Sequence, residues 1–126
     1  MVLGLGTDII EIARVEVSIQ RFGERFLHRV FTEAEIRYCV AKSSGSGQSF
    51  AARFAAKEAA AKALGTGISR GVAWREIEVR RSPGEPPRLH WTGRAADRAQ
   101  AMGVQRASIS ISHSRTAALA VVLLEG

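Results

Sequence analysis

Two spacings of apolar residues alternate along the chain and outline its elements. Residues 2–8 (VLGLGTD) suit a β-strand, with Gly4 and Gly6 placed for close approach of another backbone or a ligand. From about Glu11 the spacing turns helical: Val15, Ile19, Phe22, Phe26 and Val30 form one apolar stripe, broken or kinked at Gly23. Arg14, Ser18, Arg21, Arg25 and His28 recur at helical spacing on another face. Thr32 reads as an N-cap, and Glu35 three residues on completes a capping box, predicting a short helix over 33–41. The run KSSGSGQS (42–49) reads as a mobile small-residue loop. A long alanine-rich helix is expected from Phe50 to Leu64, closed by Gly65 as a left-handed C-cap.

The second half reads as strands around one helix. Ile77 and Val79 alternate with Glu78 and Arg80; SPGEPP (82–87) is a turn, and Arg88 to Trp91 is a second short strand. Thr92 is the expected N-cap of a helix reaching Met102 and stopped by Gly103. In Ser108-Ile109-Ser110-Ile111-Ser112 the serines line one face and the isoleucines the other. The apolar run 117–124 (AALAVVLL) is expected as a strand buried on both faces. Without strict alternation of strand and helix, the expected class is α+β: a mainly antiparallel sheet packed with a long central helix.

Composition adds bounds. The 126 residues, 46% hydrophobic and 24% charged, fit a single domain spanning 1–126. The opening ten residues meet Asp8 too early for a signal peptide or a membrane span. A lone cysteine, Cys39, closes no internal bridge and points to a reducing, cytoplasmic setting. Charge changes the picture more: 18 Lys and Arg against 12 Asp and Glu give +6, and the pI is near 10.7. Such a chain attracts polyanions, whether nucleic acid, a phosphorylated cofactor or an acidic protein.

Candidate chemistry sits in three places. On the long helix Phe54, Glu58 and Lys62 share a face, with Arg53 and Lys57 beside them. Its plainest reading is a solvent pair between Glu58 and Lys62 worth roughly 0.2–0.5 kcal/mol. The flanking alanines leave no wide polar face, however, so charges crowded there need a partner, a metal or a ligand. Asp8 serves either as a helix N-cap or as one carboxylate of a hard-cation site, with Glu58 as the other. His113 lies in Ser112-His113-Ser114-Arg115-Thr116, a run of donors suited to phosphate oxygens. No Walker loop, dinucleotide fingerprint, nucleophile elbow or zinc spacing occurs.

Together Gly4-Leu5-Gly6-Thr7-Asp8-Ile9, the stretch Arg53-Phe54-Ala55-Ala56-Lys57-Glu58-Ala59 through Lys62 to Gly65-Thr66-Gly67-Ile68, and Ser110-Ile111-Ser112-His113-Ser114 resemble the holo-acyl-carrier-protein synthase group of the 4'-phosphopantetheinyl transferases, in order and in spacing. The resemblance implies that fold, and Mg²⁺-dependent transfer of phosphopantetheine from coenzyme A to a carrier-protein serine in fatty acid or polyketide synthesis. It implies Asp8 and Glu58 as Mg²⁺ ligands, with Glu58 helping to deprotonate the serine and Lys62 stabilising the departing phosphate. Arg53, Lys62, Gly65, Thr66, Gly67, Ser112 and His113 would hold coenzyme A. Arg14, Arg21 and Arg25 would dock an acidic helix of the acyl carrier protein, and the assembly would be a homotrimer. Two departures stand out: Glu85 occupies the turn where related chains often carry a basic residue, and loop 43–49 reads as looser. The rival is a small basic nucleic-acid-binding module without catalysis. Against it stand an aromatic content of 6% and the lack of RNP-type or helix-turn-helix patterns.

Overall fold

The structure, a computed structural model, describes residues 1–126. The chain runs β1 (Val2–Glu11), α1 (Ile12–Phe22), α2 (Glu24–Val30), α3 (Glu33–Val40), α4 (Ser46–Ala63), β2 (Ile77–Arg80), β3 (Arg88–Trp91), α5 (Gly93–Met102), β4 (Arg106–His113) and β5 (Ala117–Glu125). Two antiparallel sheets form, one in the order β1-β5-β4 and one pairing β2 with β3. The α+β class holds.

α4 is the spine. Its alanines at 51, 52, 55, 56, 59, 60, 61 and 63 are buried, because small side chains let strand and helix backbones approach on several sides at once. Gly4 and Gly6 complete this contact: a Cβ at Gly6 would overlap the Ala59 carbonyl oxygen, and one at Gly4 that of Ala63. The close partner is therefore a helix backbone. At its end, Gly65 turns left-handed at φ +79°. Its amide donates to the Lys62 carbonyl and that of Thr66 to the Ala61 carbonyl, the pair of bonds of a Schellman ending.

Several expectations need correction. α4 starts at Ser46, after a 3-10 turn over Ser43–Gly45, so half of the expected loop is helix. β1 runs on to Glu11, and α1 follows with no side-chain cap. The break at Gly23 forms as expected, at a φ of 56°, but the stripe itself is not wholly buried: Val15 and Val30 are, while Phe22 is exposed. Thr92 makes no cap hydrogen bond. Instead Glu76 accepts from the Arg94 and Ala73 amides, each at 2.7 Å, and caps α5 from outside. The Thr32–Glu35 capping box forms as expected.

β5 is buried on one face only. Ala118, Ala120, Val122 and Leu124 meet the core, whereas Leu119 on the opposite face is 39% exposed. Leu5 (64%) and Ile9 (67%) on β1 share that open face. A single chain has nothing with which to cover it. On β4 the isoleucines face inward and the serines outward, as the alternation predicts.

Candidate active site

Asp8 lies within the strand, four positions before the first residue of the helix and three before its N-cap residue Glu11, which removes its N-cap role. Its neighbours Gly6 and Ile10 point toward α4, and so does Asp8. Lys62 reaches across from α4: Nζ donates to Asp8 Oδ1 at 3.1 Å and to the Thr7 carbonyl at 3.0 Å. Glu58, one turn back on the helix, stands near both. Burial raises its pKa above the ordinary glutamate value, the Asp8 carboxylate adds to the rise, and the Lys62 ammonium opposes it. Two carboxylates thus converge with only one ammonium to balance them.

The groups fit a hard divalent cation. They are hard oxygen donors with unbalanced charge, and two carboxylates are what magnesium commonly takes from a protein when phosphate and water fill its remaining positions. No cluster of three or more metal-type side chains exists in the chain. The protein alone offers the cation a partial shell.

Arg53 and His113 lie elsewhere. They line a groove of about 510 Å³ between the first half of α4, the end of β4, Val79 and the prolines Pro86 and Pro87. Asp8, Glu58 and Lys62 are not among its walls. β5 separates β1 from β4, so the carboxylate pair and the groove occupy different flanks of the same helix. Arg53 is 5% exposed. It donates to Ser49 Oγ at 3.3 Å, while its Nε has no partner.

The chain matches the family model described as the 4'-phosphopantetheinyl transferase superfamily over residues 4–122. The chain belongs to that superfamily. It is 54% identical over 125 residues to the holo-[acyl-carrier-protein] synthase of Koribacter versatilis, with 99% of each chain covered. The corresponding protein of Maridesulfovibrio salexigens is 46% identical over the same shares. Among solved structures, that of the Neisseria meningitidis synthase superposes with a TM-score of 0.89 at 32% identity, covering all of both chains. The Helicobacter pylori synthase in complex with coenzyme A gives 0.84 at 35% identity, covering 96% of this chain and 99% of that one.

Within this superfamily chain the other expected site residues fall as follows. Gly65, Thr66 and Gly67 form the exit of α4 near Lys62, with Gly67 also left-handed and Thr66 Oγ1 buried without a partner. Ser112 is exposed on the outer face of β4 and is not among the walls of the Arg53–His113 groove, although Ser110 on the same face is. Ser114 accepts from the Thr116 and Ala117 amides and shapes the turn. Arg14, Arg21 and Arg25 are exposed, and none has a carboxylate in ion-pair range. Arg25 shares a hollow with Ser18, Phe22, Phe26 and Arg29.

Sequence reasoning missed Tyr38, Lys42 and Arg81, which line the groove. Tyr38 and Lys42 stand four residues apart, one helical turn, and that spacing was the available signal. It also missed the partner of Lys57. Lys57 is fully buried, 2.7 Å from Glu35, and donates to the carbonyls of Ile77 at 2.6 Å and Trp74 at 3.0 Å. Burial pulls its ammonium below the ordinary lysine value against the opposing pull of Glu35.

Proposed function

We propose that this chain is a holo-[acyl-carrier-protein] synthase, acting as a single domain over its whole length. It moves the phosphopantetheine of coenzyme A to a serine of an acyl carrier protein and releases adenosine 3',5'-bisphosphate. The observation that carries this reading is the meeting of Asp8, Glu58 and Lys62 at the β1–α4 contact. The full-length relatives named as synthases and the coenzyme A-bound relative support it.

Asp8 and Glu58 would hold Mg²⁺, which when bound supplies positive charge to the pyrophosphate oxygens. Glu58 is the carboxylate suited to take the serine proton, since burial raises its pKa and so strengthens it as a base. The serine oxygen attacks the β-phosphorus and the bond to the departing nucleotide phosphate breaks. Lys62, free to swing from Asp8, would balance the charge on that phosphate. Arg53 and His113 would grip the phosphates of the nucleotide end, and Gly65 to Gly67 would admit it close to the backbone.

The separation of the two half-sites supports assembly. We read the open face carrying Leu5, Ile9 and Leu119 as the surface through which chains associate into a homotrimer. In that assembly the carboxylates of one chain would face the groove of the next. Arg14, Arg21 and Arg25, exposed and unpaired, would meet an acidic helix of the carrier protein. No helix of the chain is long and apolar enough to cross a membrane, and a buried free thiol at Cys39 suits a cytosolic setting.

The deciding experiment is mass spectrometry of apo-carrier protein incubated with this protein, coenzyme A and Mg²⁺. A gain of one phosphopantetheine is expected. No gain, together with tight, salt-dependent binding of random DNA, would favour a basic nucleic-acid-binding module instead.

A further inference from the structure

Tyr38 is the only tyrosine in the chain. It stands near the end of α3, in the wall of the Arg53–His113 groove. It also lines the adjoining hollow under the 82–84 turn with Lys42 and Arg81. The Arg53 guanidinium carbon lies 4.1 Å from the centre of its ring, and Lys42 Nζ lies 4.9 Å from it.

Arg53 is a buried charge with no counter-ion: no carboxylate is in ion-pair range, one donor reaches Ser49, and Nε is unpartnered. Burying such a charge is costly unless something meets it. What meets it is the π face of Tyr38. A carboxylate partner would occupy the guanidinium's in-plane donors and cancel its charge. An aromatic face fixes the plane and leaves those donors free. The other charged or chargeable walls of the groove are Lys42, Arg81 and His113, and no acidic side chain lines it. Burial alone would raise the Tyr38 hydroxyl pKa, but hydrogen bonding from Lys42 and the charges of Lys42 and Arg53, with a weaker hydrogen bond from Arg53, outweigh it and bring the hydroxyl below its ordinary value.

We propose that Tyr38 is a positioning residue, whose ring holds the Arg53 guanidinium, with Lys42 beside it, facing the groove with donors free for the phosphates of a nucleotide. This rests on the reading of the groove as the seat of the nucleotide end of coenzyme A. The ring, and not the hydroxyl, carries the role.

The test is direct binding of adenosine 3',5'-bisphosphate to the full-length protein by calorimetry, for wild type, Tyr38→Phe and Tyr38→Leu. Tyr38→Phe should bind within about twofold of wild type, and Tyr38→Leu about tenfold more weakly. In turnover, Tyr38→Leu should raise the KM for coenzyme A with little change in kcat, a split that loss of folded protein would not produce. Because the chain has a single tyrosine, ultraviolet absorbance reads its ionisation alone. Bound nucleotide should shift that ionisation to higher pH by offsetting the two cations. Normal binding by Tyr38→Leu, equal damage from both variants, or a titration unmoved by bound nucleotide overturns the platform alone. No nucleotide binding by the wild-type protein overturns the reading of the groove as well.

Discussion

Two lysines five residues apart on α4 meet opposite fates. Lys57 is sealed between Glu35 and two carbonyls and exposes nothing to solvent, whereas the Lys62 side chain is 51% exposed and holds Asp8 loosely at 3.1 Å. The first pair is complete. Glu35 receives Lys57, the Thr32 amide and the Val79 amide, so its oxygens are spoken for and a ligand has nothing to displace. The second is left open: Glu58 adds a negative charge that Lys62 alone does not balance. A satisfied buried network locks helix α3 and strand β2 onto α4. An unsatisfied one on the same helix waits for charge from outside. The comparison separates structural charge from functional charge by satisfaction, not by residue type.

The largest expected effect falls on the closed pair. Lys57→Met leaves Glu35 buried without its cation and should cost about 3–5 kcal/mol in urea denaturation. Adding Glu35→Gln should recover part of that, since the charge is gone, although the side-chain amide keeps an acceptor for only one of the two backbone N–H groups that Glu35 meets with separate oxygens. A loss under about 1 kcal/mol in the single variant would place this pair with surface ion pairs and remove the contrast.

The open pair should behave the other way. Glu58→Gln and Asp8→Asn should each lower transfer about 10²- to 10⁴-fold, the range of a lost proton acceptor. Stability should fall by no more than about 1 kcal/mol, since both carboxylates are half-buried and their shared partner Lys62 stays in solvent. EDTA should mimic the loss, and full activity in either variant or in EDTA would refute the cation assignment. A third group of charges, with no carboxylate partner, extends the comparison. Reversing Arg14 and Arg21 to Glu should raise the KM for the carrier protein about tenfold, steeply salt-dependent, and leave coenzyme A binding unchanged. Equal effects on both substrates would count against a docking face.

How much of this was legible in the sequence follows the same division. Local chemistry read well: the capping box at Thr32, the left-handed Gly65 and the alternation of β4 all depend on neighbours within a few residues. Gly4 and Gly6 announced a close approach, though not that the approaching backbone was α4. What failed depended on distant partners. Thr92 looked like a cap because its competitor, Glu76, is sixteen positions away in the chain. Residues 46–49 looked like loop because local propensity omits the packing that extends α4. The face that β5 leaves bare looked buried because an apolar strand carries no sign of which molecule covers it. In the site, the pairing of Asp8 with Lys62 follows from the fold. The one-turn spacing of Tyr38 and Lys42 was there to be read, but that the two form a wall of the groove follows only from the fold.

The smallest effect is the most specific to Glu58. Its pKa is raised in the folded chain, so the fold binds that proton more tightly than the unfolded chain does. Stability of the metal-free protein therefore carries a contribution that is present below the ordinary glutamate pKa. That contribution is lost as pH rises from there through the folded value. Below that window both states hold the proton, and above it neither does. Other carboxylates tilt the same curve, so the quantity to measure is the difference in melting temperature between wild type and Glu58→Gln across weakly acidic pH. Wild type should lose stability relative to the variant as pH rises through the window. Mg²⁺ should reverse that trend, because a cation bound to Asp8 and Glu58 favours the ionised form. A flat difference in the metal-free protein would mean that Glu58 is as solvated as a surface glutamate. The open pair would then lack the charge imbalance that sets it apart from Lys57 and Glu35.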